Sequence, residues 1–325
     1  MNEPRQERLK KITQSIIALP TLPAVITQLI GIIDNPTTSA RNVAQLISTD
    51  QALTAKILKL ANSAFYGFPR EIATVNHAVV VLGFETVKNL ALSVSVLERF
   101  SSHGENSGFD RQKFWEHSIG CGVAAKLLAA KFRYRVSGEV FAAGILHDIG
   151  KLVLSQYFPT DFGEILDVAQ SQGIYIGKAE ELVLGVTHAD VGGWLAERWN
   201  LPDQLEESIS NHHTPGRLGP RSELTSLIHL ADFLCRRENI GDGGGDKLPA
   251  LVLELLSNGC SVMATNSEKR WRRRMPSRPS YVATRMTACP VKTGKRLPLP
   301  NPHSWAQPVA SRTVARLSKM IESIQ

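Results

Sequence analysis

Between Pro20 and Leu256 apolar residues recur at three- and four-residue spacing, a period that predicts helices. Pro20 and Pro23 open a helix with Ile26, Leu29 and Ile33 on one face, and Asn35-Pro36 stops it. Ser39 can cap the next, whose inward residues are Val43, Leu46 and Ile47. Asp50 can cap a third, with Leu53, Ile57, Leu58 and Ala61 inward. Asn62-Ser-Ala-Phe-Tyr-Gly67 breaks the pattern. Val75 to Leu82 is a short apolar helix ended by Gly83, and Val87, Leu90, Ala91 and Val94 resume the period. The polar, turn-rich stretch Ser101 to Gly108 reads as a join between two lobes.

From Asp110, a good N-cap, longer helices are predicted at about 111–132, 139–157, 161–172, 187–199, 202–213 and 222–237. Ile240 to Asp246 is glycine-rich, but it has no phosphate-loop spacing and no preceding strand, so it reads as a plain flexible loop. Leu248 to Leu256 is a further apolar helix. After Ala264 the period vanishes until Val314, Leu317, Ile321 and Ile324. The intervening segment, beginning Trp271-Arg-Arg-Arg, buries too little apolar surface to offset its ordering entropy and is expected to be disordered. So abrupt a change fits a shifted reading frame from about residue 266, or an Arg-rich tail that contacts nucleic acid or acidic membrane.

Composition narrows the class. The 325 residues suit two lobes, 43% hydrophobic content suffices for a packed core, and 6% aromatic content with little strand-like alternation points to an all-α protein. No apolar run reaches the ~18 residues of a transmembrane helix, and the N-terminus lacks the apolar core of a signal peptide. Cys121, Cys235, Cys260 and Cys289 form no Cys-x-x-Cys pair. Cys121 and Cys235 fall in apolar helices and read as buried thiols, in keeping with a reducing cytoplasm. The net charge of +7 belongs to one segment: ten Lys and Arg against Glu268 lie between Asn266 and His303, leaving −2 for the rest. Any nucleic-acid binding would therefore rest on the tail and not on the main body.

Chemistry enters with His147-Asp148 inside the apolar stretch Phe141 to Leu154, followed by Lys151. Such groups cost several kcal/mol to bury without partners, and a metal ion would satisfy them. His117 shares a helical face with Cys121, Ala124 and Leu128; Asp148 with Phe141, Ile145 and Leu152; His188 with Val191, Gly192 and Leu195. His212 and His213 end the helix that starts at Pro202, and Asp232 lies on the face of Leu224, Ile228 and Cys235. Imidazoles and carboxylates without a thiolate suit Mn, Fe, Mg, Zn or Ni. A divalent ion there could lower the pKa of bound water and polarise a phosphoryl oxygen. Asp148 and Lys151 are the candidate catalytic residues. Lys151 could neutralise a phosphate oxygen, or equally lie at the surface beside its helix.

The ordered set His117, His147-Asp148, His188, His212-His213 and Asp232 resembles the HD superfamily of metal-dependent phosphohydrolases. His147-Asp-Ile-Gly-Lys151 resembles its HD-GYP branch, the cyclic-di-GMP phosphodiesterases. Leu19-Pro-Thr-Leu-Pro23, Ile47 to Leu58, Ala61-Asn-Ser-Ala-Phe-Tyr-Gly67, Val80-Val-Leu-Gly83 and Trp199-Asn-Leu-Pro202 resemble the HDOD domain family. The resemblance spans roughly residues 15–237. It implies an all-α fold in which an N-terminal helical lobe (1–105) packs on an HD-like helical bundle (106–262), followed by an irregular basic tail (263–325). It also implies that His117, His147, Asp148 and Asp232 bind one metal, with His188, His212 and His213 completing a second site. Thr214 to Pro220 lacks the acidic residue and Gly-Tyr-Pro signature of the HD-GYP branch.

Two readings follow. In the first, the chain is a bacterial signal-transduction module of the HDOD type whose HD-like lobe carries a metal site as a structural element, and its N-terminal lobe contacts other signalling proteins. In the second, it is a metal-dependent phosphohydrolase acting on a nucleotide or phosphodiester. No receiver or sensor domain is recognisable in the sequence.

Overall fold

The computed structural model describes residues 12, 14, 21–33, 38–63, 66, 68, 70–100, 109–132, 134, 139–215 and 223–242. Regular structure among them is entirely α-helical. The join at 101–108, most of the loop at 214–220, the helix predicted at 248–256 and the tail lie outside the described residues.

The first five helices are α1 (Ala24–Ile33), α2 (Ala40–Ser48), α3 (Gln51–Ala61), α4 (Val75–Leu82) and α5 (Phe84–Arg99). Their starts are written in polar side chains. Ser39 accepts from the Asn42 amide, Asp50 from Leu53 and Thr74 from His77, each satisfying an orphan donor of the first turn. Asn62 clamps the irregular segment after α3. Its amide nitrogen donates to the Ile72 carbonyl at 2.8 Å, and its oxygen accepts from the Ile72 amide at 2.7 Å. Helices α1, α3 and α4 pack on α5.

The remaining helices are α6 (Arg111–Lys131), α7 (Glu139–Leu146), α8 (Ile149–Tyr157), α9 (Pro159–Gln172), α10 (Ile176–Val183), α11 (His188–Arg198), α12 (Asp203–Asn211) and α13 (Glu223–Arg237). Helix α6 packs on α7 and α13, α8 on α9 and α11, and α12 on α7, α11 and α13. Helix α7 is buried from Val140 to its end, and α6 along most of its length, as expected of helices at the centre of a bundle. Helix α5 touches α7, so the first five helices meet the others there. Ring contacts reinforce this: Phe100 faces Trp199 at 6.4 Å between centroids, and the Lys126 ammonium lies 4.2 Å from the Tyr66 ring centroid.

Three expectations are corrected. The single helix expected over 139–157 is broken at His147-Asp148, where Asp148 adopts φ −97°, ψ 13° and its carbonyl accepts from Lys151 in a tight turn. In an unbroken helix adjacent residues diverge by about 100°; the break lets both side chains serve one cluster. Helix α10 was not expected, because its short apolar face is interrupted by Glu180. The start of the glycine-rich loop is anchored: Ile240 is 5% exposed, and the Asp242 amide donates to the Lys113 carbonyl at 2.9 Å.

Two helix crossings depend on missing side chains. A Cβ on Gly144 of α7 would lie 2.5 Å from the Gly122 Cα of α6, and one on Gly150 of α8 would lie 1.9 Å from the His188 carbonyl oxygen of α11. The expected outcome of Gly150→Ala is therefore forced separation of α8 and α11. It should cost about 1–3 kcal/mol by overpacking, read as a lowered denaturation midpoint in urea.

Candidate metal centre

The break between α7 and α8 delivers His147 and Asp148 to a cluster built from five further elements. His117 comes from the middle of α6, His188 from the first turn of α11, His212 and His213 from the end of α12, Asp232 from α13, and Lys151 from α8. His117, His147, Asp148, Lys151, His188, His212 and Asp232 are each 0% exposed. Lys151 is thus a core residue and not a surface one.

Asp148 stands at the centre. Its Oδ2 accepts from Lys151 Nζ at 2.6 Å and from Arg236 Nη2 at 3.3 Å, with His147 Nε2 at 3.4 Å and His117 Nε2 at 3.9 Å. On its other side Oδ1 faces His188 Nε2 at 3.1 Å and His212 Nε2 at 3.5 Å. Asp232 Oδ1 accepts from Arg236 Nε at 2.6 Å and lies 2.9 Å from His117 Nε2 and 3.7 Å from His147 Nε2. His213 reaches the rim, its side chain 15% exposed, with Nε2 3.0 Å from His188 Nε2 and 2.6 Å from the Tyr175 hydroxyl.

The imidazoles are oriented from behind. His147 Nδ1 donates to the Gly144 carbonyl at 2.8 Å, His212 Nδ1 to Ile209 at 2.8 Å, and His117 Nδ1 to Ile240 at 3.3 Å. His188 Nδ1 donates to the Glu180 carboxylate at 2.7 Å. A carbonyl or carboxylate can only accept, so each of these Nδ1 atoms carries a proton and each ring turns its Nε2 inward. That is how histidine ligands are fixed around metals.

The donor set satisfies the requirements of a metal site. His147 Nε2, His212 Nε2, Asp148 Oδ1 and Asp232 Oδ2 are buried and have no hydrogen-bond partner. Atoms of His117, Cys121, His147 and Asp232 lie within 4.8 Å of one another, and so do those of Asp148, His188, His212 and His213. The lone pairs of His117 Nε2 and Asp232 Oδ1, 2.9 Å apart, need a proton or cation between them. The cluster could hold a metal.

Electrostatics follow from burial and close pairing. Burial opposes ionisation of Asp148, but His147 and Lys151 beside it hold its carboxyl well below the usual range. Burial likewise opposes Asp232, and the Arg236 guanidinium with His117 overcomes it. His147 is raised: burial disfavours its cation, yet the Asp148 charge outweighs that cost. Burial lowers His212 to about 4, and it lowers His213 strongly, with His212 and His188 adding to the effect.

Sequence reasoning missed Glu180, Tyr175, His229 and Arg236. Glu180 does stand four residues from both Ile176 and Leu184, on the apolar face of α10, and Arg236 follows Asp232 by one turn. Those spacings were available signals. His229 donates from Nδ1 to the His212 carbonyl at 2.7 Å, and nothing in its own helix marks it apart.

Comparison with known proteins agrees with this architecture. The HDOD domain family model matches residues 19–215, and the chain belongs to that family. An uncharacterised protein of Treponema pallidum (strain Nichols) is 28% identical over 227 residues, covering 69% of this chain and 44% of that relative. The chain thus spans less than half that relative's length. An HDOD domain protein of unknown function from Geobacter sulfurreducens superposes with TM-score 0.65 at 27% identity, covering 78% of this chain and 86% of that one. A candidate phosphohydrolase from Shewanella amazonensis SB2B gives 0.60 at 29% identity, covering 72% and 83%.

His229 offers a test of the packing behind the cluster. Burial lowers its pKa from the usual 6.5. The unfolded chain therefore binds a proton there before the folded protein does. This contribution to stability is complete above about pH 6.5 and is lost as pH falls from that value toward the folded pKa. In metal-free protein, denaturant titrations at pH 7 and pH 5 should show a smaller acid loss for His229→Gln than for wild type.

Proposed function

We propose that this chain is a bacterial signal-transduction module of the HDOD type. Its His/Asp cluster holds a divalent metal as a structural element, and residues 1–105 form a helical lobe that contacts other signalling proteins. The observation that carries the structural role of the metal is closure. Every donor but His213 is fully buried, and Lys151 and Arg236 already balance the charge of Asp148 and Asp232. Structural metal sites are closed in this way, whereas catalytic ones keep a coordination position open to water or substrate. No helix among the described residues is long and apolar enough to cross a membrane.

The second reading is a metal-dependent phosphohydrolase acting on a nucleotide or phosphodiester. Two observations favour it: the likeness to the Shewanella amazonensis candidate phosphohydrolase, and His213 reaching the rim beside Tyr175. In that reading Asp148 would help hold the metal and Lys151 would stabilise charge on phosphate. A bound ion would supply hydroxide near neutral pH and polarise a phosphoryl oxygen.

Metal analysis of purified protein decides the first point. Wild type is expected to retain a transition metal, and His147→Ala and Asp148→Ala to lose it. Wild type and variants all metal-free after reconstitution would reject a metal centre. Loaded wild type is expected to leave nucleotides and phosphodiesters intact. Turnover lost in His147→Ala would instead establish the hydrolase.

A further inference from the structure

Cys121 sits one helical turn after His117 on α6, fully buried, with Sγ 3.5 Å from His117 Nε2. Its sulfur belongs to the same group of mutually close donor atoms as His117, His147 and Asp232. Two of those neighbours carry a buried atom with no hydrogen-bond partner, His147 Nε2 and Asp232 Oδ2. We infer that Cys121 is the fourth donor of a metal site formed with His117, His147 and Asp232, and that its sulfur makes this site select a thiolate-accepting ion such as Zn²⁺ or Fe²⁺ over Mg²⁺.

Geometry supports the assignment. Tetrahedral coordination with metal–nitrogen and metal–oxygen bonds of about 2.0–2.2 Å and a metal–sulfur bond of about 2.3 Å puts neighbouring donors about 3.3–3.6 Å apart. The separations here are 3.5 Å from Cys121 Sγ to His117 Nε2, 2.9 Å from His117 Nε2 to Asp232 Oδ1, and 3.7 Å from His147 Nε2 to Asp232 Oδ1. All four donors lie within 4.8 Å of one another, so one ion could be shared by them after the groups adjust. Asp148 then belongs with His188, His212 and His213, the second group of close donors, which contains no sulfur.

Chemistry gives the selectivity. Coordination replaces the S–H bond of Cys121 by an S–metal bond, and the proton leaves to solvent. Soft sulfur favours zinc and iron, while hard oxygen-seeking ions such as Mg²⁺ gain little from it. This departs from the metals that imidazole and carboxylate alone would admit. Cys235, the other buried thiol among the described residues, lies on α13 within hydrogen-bond reach of Cys121 but outside that group of donors.

The inference rests on the metal-centre reading, and cobalt separates the two. Full-length protein is stripped with chelator and titrated with Co²⁺, with bound metal measured alongside the absorption spectrum. Wild type is expected to bind Co²⁺ and to show sulfur-to-cobalt charge-transfer absorption in the near ultraviolet. A variant carrying Cys235→Ser, Cys260→Ser and Cys289→Ser should keep that band, because Cys121 is then the sole thiol. Cys121→Ser should lose the band and bind Zn²⁺ at least about tenfold more weakly, since even outer-shell changes cost that much. Cobalt bound by wild type without the band overturns the Cys121 assignment but leaves a metal centre in place. A band that persists in Cys121→Ser overturns it too. Failure to bind cobalt at all rejects both. Should Cys121→Ser not fold, the band in wild type and in the triple variant decides alone.

Discussion

Two carboxylates inside an apolar helical bundle set the terms for everything around them. An uncompensated charge in such an interior costs several kcal/mol, so Asp148 and Asp232 each need a cationic partner. Lys151 and Arg236 supply those cations, at 2.6 Å in each case. The imidazoles of α6, α7, α11 and α12 close the remaining directions. Lys151 and Arg236 each stand about one turn from their own carboxylate. The imidazoles and the second Arg236 contact, to Asp148, come from other elements, so the cluster is complete only when those elements are docked together. The polar cluster thereby specifies one arrangement among the many that greasy helices could adopt.

The backbone is shaped to the same end. Gly144 and Gly150 let α7 and α8 approach α6 and α11 more closely than any side chain would permit. Between those glycines the chain kinks at His147-Asp148, turning two consecutive residues toward a common point. The N-terminal helices sit one element away: α5 packs on α7, and Phe100 and Tyr66 make contact with Trp199 and Lys126. Some of the motif residues that carry the family resemblance are therefore those at which the first helices meet the rest.

Helix positions were largely legible in sequence because the caps are local. Ser39, Asp50 and Asp110 each satisfy an amide three residues on, so their signal survives without tertiary context. His117, His147, Asp148, His188, His212, His213 and Asp232 could be singled out because charged or imidazole groups on apolar faces are costly unless they share partners. What could not be read is what depends on three dimensions. The break after Leu146 hides in an apolar run that continues unbroken in sequence. Glu180 carries a local hint in its place on the apolar face of α10, but its partner is apparent only once α10 folds back to receive His188. Arg236 resembles a helix-terminal cation until α13 brings it within reach of Asp148.

The acceptor for His117 Nδ1 belongs to Ile240, beyond the last turn of α13, where Gly241 takes φ +65° and the next amide is tied to Lys113. An imidazole deep in the bundle is thus latched by a stretch of chain at its edge. Drawing that stretch outward would strip Nδ1 of its acceptor and leave the ring held from its Nε2 side alone. The orientation of a core residue is consequently hostage to whatever tension the polypeptide transmits from past Asp242.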